Sequence, residues 1–155
     1  MAKKQSAPQA YATPDQIPIR GNKMFSILRQ KEVALTPEEQ VRQEYLRVLI
    51  EEYGFKPEQM EEEVSVTHHG SGAARADFLI WCTPEAKYRQ EHALIVIECK
   101  ADNVTISLKD YEQGANYAQY EHARFFVTHN HRETKNLSVN NIGSFNFSPA
   151  DNGER

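Results

Sequence analysis

The stretch 93-ALIVIECKAD-102 decides the fold. Ala93 to Ile97 is apolar and mostly β-branched, without alternation, which is the pattern of an inner strand covered on both faces. The run then ends on Glu98, Cys99 and Lys100. A core strand has no packing reason to finish on a carboxylate and an ammonium, so its end is expected at a rim where both side chains are used.

Upstream lies 75-RADFLIWC-82, joined to this strand by the loop 83-TPEAKYRQEH-92. An antiparallel pairing that turns at Lys87 and Tyr88 sets Trp81 opposite Leu94, Leu79 opposite Val96 and Asp77 opposite Glu98. Opposed residues project from the same face of a sheet. Lys100 follows Glu98 by two residues and shares that face, whereas Cys99 points away with Ile97 and Ile95. One end of the hairpin then presents Asp77, Glu98 and Lys100 together; a shift of one residue would scatter them. Arg75 falls beside Lys100 in this register, as a contact for a phosphate or as an ordinary surface cation.

Two facing carboxylates repel and favour a shared proton or a divalent cation. Hard oxygen ligands suit Mg²⁺, with Mn²⁺ as the alternative. A lysine beside such an ion can serve a water or steady charge on a phosphorane-like transition state. The rim therefore has the chemistry of a phosphodiester-cleaving site.

The flanking sequence fits a small mixed sheet with helices packed on it, in the order α-β-β-β-α-β. In 36-TPEEQVRQEYLRVLIEEYGF-55, Thr36 is a helix N-cap, Pro37 occupies the first turn and Glu39 completes a capping box. Val41, Tyr45, Val48, Leu49 and Tyr53 form its apolar stripe, and Gly54 ends it. A strand is expected at 61-EEEVSVTHH-69, a helix at 107-SLKDYEQGANYAQYEHA-123, and strands at 124-RFFVTHN-130 and near 136-NLSV-139. The segment 23-KMFSILRQKEVAL-35 is short and mixed, with some helical character. Of Glu61, Glu62 and Glu63, two are expected in solvent and one at the strand start. Lys87 and Arg89 are expected to be solvated.

Residues 1–22 are rich in Pro, Gln, Ala and Lys without a period and read as a flexible tail. Residues 23–140 read as one domain and 141–155 as a turn-rich end. With 155 residues, 39% hydrophobic and 26% charged, the composition is that of a globular protein with one modest core. No run nears the roughly 18 apolar residues of a membrane helix, and the first residues lack the apolar core of a secretory signal. Cys82 and Cys99 read as reduced core residues of a cytoplasmic protein. The net charge of −4 excludes holding nucleic acid by bulk charge alone. Histidines at 68, 69, 129 and 131 could be assembled into a zinc site, but loop histidines touching water or phosphate fit the spacing better.

The strand pair "RADFLIW" and "ALIVIECKAD" resembles the D-(x)n-E-x-K signature of restriction-endonuclease-like nucleases. The resemblance implies an α/β fold, a mixed sheet flanked by helices on both faces. It also implies Mg²⁺ held by Asp77, Glu98 and the backbone carbonyl of Cys99, with Lys100 serving the attacking water. Gln113 and Tyr117, in "QGANY", look like the Q-x-x-x-Y motif of RecB-like nucleases, whose role is to orient substrate; spacing of four puts both on one helix face. Together with "TPEEQVRQEYLRVLIEEYGF" and "EEEVSV", the set looks most like the N-terminal nuclease domain of type I restriction enzyme R subunits, over roughly residues 36 to 135. That superfamily often adds an acidic residue from the first helix, for which Glu44 is the first candidate and Glu38 the second. The implied partners are DNA, a helicase-like motor region and the methylase and specificity subunits. The chain has no G-x-x-x-x-G-K-[ST], so it is expected to be a fragment of a longer subunit or a free-standing relative. A RecB-like exonuclease, a junction resolvase and a non-catalytic docking module of the same fold are the alternative readings.

Overall fold

The computed structural model describes residues 16–66, 74–107 and 122–138. It is built on a five-stranded mixed sheet in simple sequence order: β4 (Met60–Val66), β5 (Ala74–Ile80), β6 (Ile95–Cys99), β7 (Phe125–His129) and β8 (Thr134–Ser138). β6 is the central strand. It pairs antiparallel with β5 and parallel with β7; the other neighbours are antiparallel. The register sets Leu79 against Val96, as the sequence leads one to expect, with Phe78 against Ile97 and Ile80 against Ile95.

β6 is buried on both sides because its two faces feed separate clusters. Ile97 and Cys99 pack with Phe78, Ile80, Met60 and Val127 beneath helix α1 (Pro37–Glu51), which contributes Val41, Tyr45, Leu46 and Leu49. Val96 packs on the opposite face with Leu79, Trp81, Phe126 and Ala86, the last from the short helix α2 (Pro84–Tyr88). Burying side chains of this size contributes about 1.5–3 kcal/mol each, which is what makes a continuous apolar strand fold inward. The helix expected over 107–123 would cover this second face; its residues 108–121, with Gln113 and Tyr117, lie outside the described residues, as do His68 and His69.

Helix α1 begins as its sequence requires. Thr36 Oγ1 accepts from Glu39 N at 3.1 Å and Pro37 fills the first turn. Glu39 does not close a capping box, however: its carboxylate turns inward to Arg29, Arg42 and Gln43. At the other end Gly54 has φ +74, a left-handed position that suits glycine. Tyr53 is 68% exposed and does not belong to the apolar stripe, while Leu46 is wholly buried in its place.

The segment 23–35 is a hairpin, not a helix. β2 (Lys23–Ser26) and β3 (Lys31–Ala34) pair antiparallel, joined by β1 (Ile19–Arg20), in a separate three-stranded sheet. Gln30 turns the chain with φ 49, and Met24, Ser26 and Ile27 are buried. The residues 83–92 are not all loop either, since Thr83 caps α2 by accepting from Ala86 N at 3.0 Å. Lys87 is not simply solvated: its ammonium donates to the Met60 carbonyl at 2.7 Å and lies 5.9 Å from the Trp81 ring centroid. Cys82 is exposed, just past the end of β5, and only Cys99 is a core cysteine; both are free. Among the described residues no helix is long and apolar enough to cross a membrane.

Candidate carboxylate and lysine site

The sheet loosens where the candidate site begins. The β5–β6 ladder stops at Phe78 and Ile97, so Asp77 has no backbone partner in β6. On its other side, Glu63 interrupts the β4–β5 ladder between the Glu62–Phe78 and Val64–Ala76 pairs and has φ 50. Freed from both ladders, Asp77 uses its side chain where the backbone bond would have been. Its Oδ2 accepts from Cys99 N at 2.7 Å. A buried amide that lacks a partner costs about 1–3 kcal/mol, so this bond fixes where the carboxylate sits.

Asp77 Oδ1 is held from α1. Arg42 Nη2 donates to it at 2.5 Å, and both residues are buried. Burial alone would lower the Arg42 pKa, but Asp77 and Glu39 outweigh it and raise it, so the guanidinium is a fixed positive charge.

Glu98 stands in the contrasting situation. Its Oε1 is buried and has no hydrogen-bond partner among the described residues. Burial and then the charge of Asp77 push its pKa up to about 9, with Lys100 opposing. Across the parallel β6–β7 pair its register partner is Thr128, fully buried, whose Oγ1 also has no partner among the described residues. Lys100, half-buried, is anchored by its backbone N, which donates to the His129 carbonyl at 2.9 Å.

The structure thus brings Asp77, Glu98 and Lys100 into one electrostatic neighbourhood, and Glu38 joins it. Burial first, and then the charge of Asp77, raise the Glu38 pKa, with Arg42 and Lys100 pulling it down. Glu44 points elsewhere: its Oε2 lies 2.7 Å from His131 Nε2, and that histidine is held on its other side by Asp102 at 2.8 Å. Arg75 is exposed and lies 3.8 Å from Glu63. His131 is engaged by Glu44 and Asp102 and His129 stacks on Tyr45 at 3.7 Å, and among the described residues neither histidine belongs to a group of three or more His, Cys, Asp or Glu side chains placed to hold a metal ion.

Arg42 and Thr128 are the residues that sequence reasoning passed over. Arg42 carries a faint signal, since it sits one turn from Glu38 and Glu39 on a helix whose other buried positions, Glu39 and Gln43 apart, are apolar. Thr128 carries none, since a threonine inside a strand is an ordinary β-branched residue.

In chemical terms this is an α/β mixed sheet whose rim carries two neighbouring carboxylates, a lysine just past the end of β6 and a helix that delivers an arginine and a glutamate. The chain belongs to the family described as type I restriction enzyme R protein N terminus, whose model matches residues 37–149. The match takes in Asp77, Glu98, Lys100, Gln113 and Tyr117, and leaves out the sheet formed by β1, β2 and β3. No curated protein matches the chain.

Proposed function

We propose that this chain is a Mg²⁺-dependent DNA endonuclease domain acting within the R subunit of a type I restriction-modification system. The observation that carries the reading is the Glu98 carboxylate, its Oε1 buried, in the electrostatic neighbourhood of Asp77 and Lys100 in a chain of this family. The donor set fits a hard divalent cation. Carboxylate oxygens dominate it, and Glu98 Oε1 is buried with nothing among the described residues to satisfy it.

Asp77, Glu98 and the Cys99 carbonyl would hold the ion, with Glu38 nearer to them than Glu44. Bound there, Mg²⁺ or Mn²⁺ supplies Lewis-acid polarisation of a phosphodiester oxygen. Lys100 positions the attacking water and offsets the negative charge that develops on phosphorus. Gln113, Tyr117 and Arg75 are assigned to orienting the DNA. A helicase-like motor and the methylase and specificity subunits would deliver that DNA, which suits a domain with net charge −4.

The test is a metal-dependent cleavage assay on the R subunit in its complete complex. Wild-type protein should cut only with Mg²⁺ or Mn²⁺, and Glu98→Ala should not cut. Cleavage in a chelating buffer, or undiminished cleavage by Glu98→Ala, would remove the assignment and favour a docking module.

A further inference from the structure

Asp77 is gripped at both oxygens, and the grip is graded. The Cys99 amide fixes Oδ2 through the backbone of β6. Oδ1 is fixed by a side chain, Arg42, which is itself immobilised. Arg42 Nη1 donates to Glu39 Oε2 at 2.9 Å and to Glu63 Oε1 at 3.3 Å, and Nη2 lies 3.6 Å from Glu38. Glu39 is held in turn by Arg29 Nη2 at 2.7 Å and by Gln43 Nε2 at 2.8 Å. Arg29 belongs to the turn between β2 and β3, so the chain of contacts runs from the N-terminal sheet to the carboxylate.

Ordinary packing does not call for this arrangement. A buried arginine costs desolvation energy that its partners must offset, and an apolar residue would fill the same space without that cost. The arrangement does fix a carboxylate's rotation, because a guanidinium presents its donors in a rigid plane. It also keeps a resident positive charge next to Asp77, which opposes a metal ion's approach on that side.

We propose that Arg42 is a positioning residue for the metal-binding carboxylate, setting the orientation of Asp77 at some expense of metal affinity. The inference rests on the nuclease reading above. It separates two quantities that a structural role would move together. Without the guanidinium, Asp77 is freer to rotate and locally more negative, so the ion binds as well or better but in a less productive position. Misplacement of about 1 Å at a reacting centre can cost about a hundredfold in rate.

The experiment uses the R subunit in its complete complex and compares wild type, Arg42→Gln, Arg42→Lys and Glu98→Ala. Mn²⁺ affinity is measured by calorimetry, and cleavage rate is followed across Mn²⁺ concentration. Arg42→Gln should lower the rate at saturating Mn²⁺ by about tenfold or more, while the Mn²⁺ Kd stays level or falls. An unchanged saturating rate in folded Arg42→Gln overturns the proposal. So does a rate loss that comes with an equal loss of Mn²⁺ binding. Should Arg42→Gln not fold, Arg42→Lys carries the test, since it keeps the charge and loses the planar fork. It should also be slow at saturating Mn²⁺, and full activity overturns the proposal. Loss of the fold in both variants overturns it in favour of a purely structural role. Glu98→Ala separates the two levels: if it cleaves normally, the nuclease reading fails, whereas if it is inactive and Arg42→Gln behaves as wild type, only the role of Arg42 fails.

Discussion

Glu98 lies on β6 and Lys100 just past its end, two residues apart, yet they should fail in different ways when removed. Glu98 is a proposed ligand, and its buried Oε1 has no partner among the described residues. Glu98→Ala should therefore abolish both cleavage and calorimetric Mn²⁺ binding. Lys100 opposes the raised pKa of Glu98 by its positive charge, and that same charge repels a bound cation. Lys100→Ala should then lose on the order of a hundredfold or more in rate, as a positioned electrostatic or acid–base group does, with Mn²⁺ affinity level or higher. Full cleavage by Lys100→Ala in the complete complex would show that the lysine has no part in the chemistry. Both variants should remain folded, because each leaves the apolar clusters of β6 intact.

Between elements, the polar contacts under α1 decide how the N-terminal hairpin docks. Gln43 is fully buried, its Oε1 accepts from Ile27 N at 2.9 Å, and its Nε2 donates to Glu39 at 2.8 Å and Glu62 at 2.6 Å. Gln43→Leu would leave Ile27 N and Glu62 Oε1 unsatisfied, while Glu39 keeps Arg29 and Arg42, so a loss of roughly 2 kcal/mol or more is expected in denaturant unfolding; a loss under about 1 kcal/mol would mean that water replaces the amide. The packing of α1 on β7 makes a pH prediction. Burial, with His131 adding, pushes His129 down to about 4, below the usual value of about 6.5. As pH falls between those values the unfolded chain takes up a proton that the folded chain refuses, so this stability is present above about 6.5 and lost toward about 4. His129→Phe keeps a ring on Tyr45 and should flatten that acid limb when unfolding midpoints are compared at pH 5 and pH 7. These contacts also mark the limit of what the sequence discloses. β5 and β6 and their register are legible because one apolar run forces an inner strand and period two does the rest, whereas the seat of the Asp77 carboxylate is not, because the ladder stops short of it and Cys99 N and Arg42 set it. The hairpin of β2 and β3 is not, because four-residue strands are too short to show a period. Nor is the inward turn of Glu39 and Glu62, since Glu62 finds Ser26, Arg29 and Gln43 only through the tertiary fold.

At the scale of the whole molecule, charge sets how the domain meets DNA. The chain carries 18 Lys and Arg against 22 Asp and Glu, a net charge of −4. Its central cations are also committed: Arg29 and Arg42 are tied to Glu39, Glu62, Glu63 and Asp77. Each phosphate contact requires a cation that displaces condensed counterions, and the affinity and its salt dependence both scale with how many such contacts form. The domain should therefore bind duplex DNA weakly, no tighter than the non-specific range of about 10⁻⁴ to 10⁻⁶ M at physiological salt. The slope of log affinity against log salt should be shallow, about −3 or less steep, for want of contacts. Divalent cation should strengthen binding, because an ion held at Asp77 and Glu98 adds positive charge at the surface the scissile phosphate must approach. Fluorescence anisotropy with a short duplex, titrated with NaCl and repeated with Ca²⁺ in place of a catalytic ion, measures all three. Nanomolar, sequence-specific binding by the domain alone would mean that it finds its own target, and would favour an independent nuclease over one that a motor must feed.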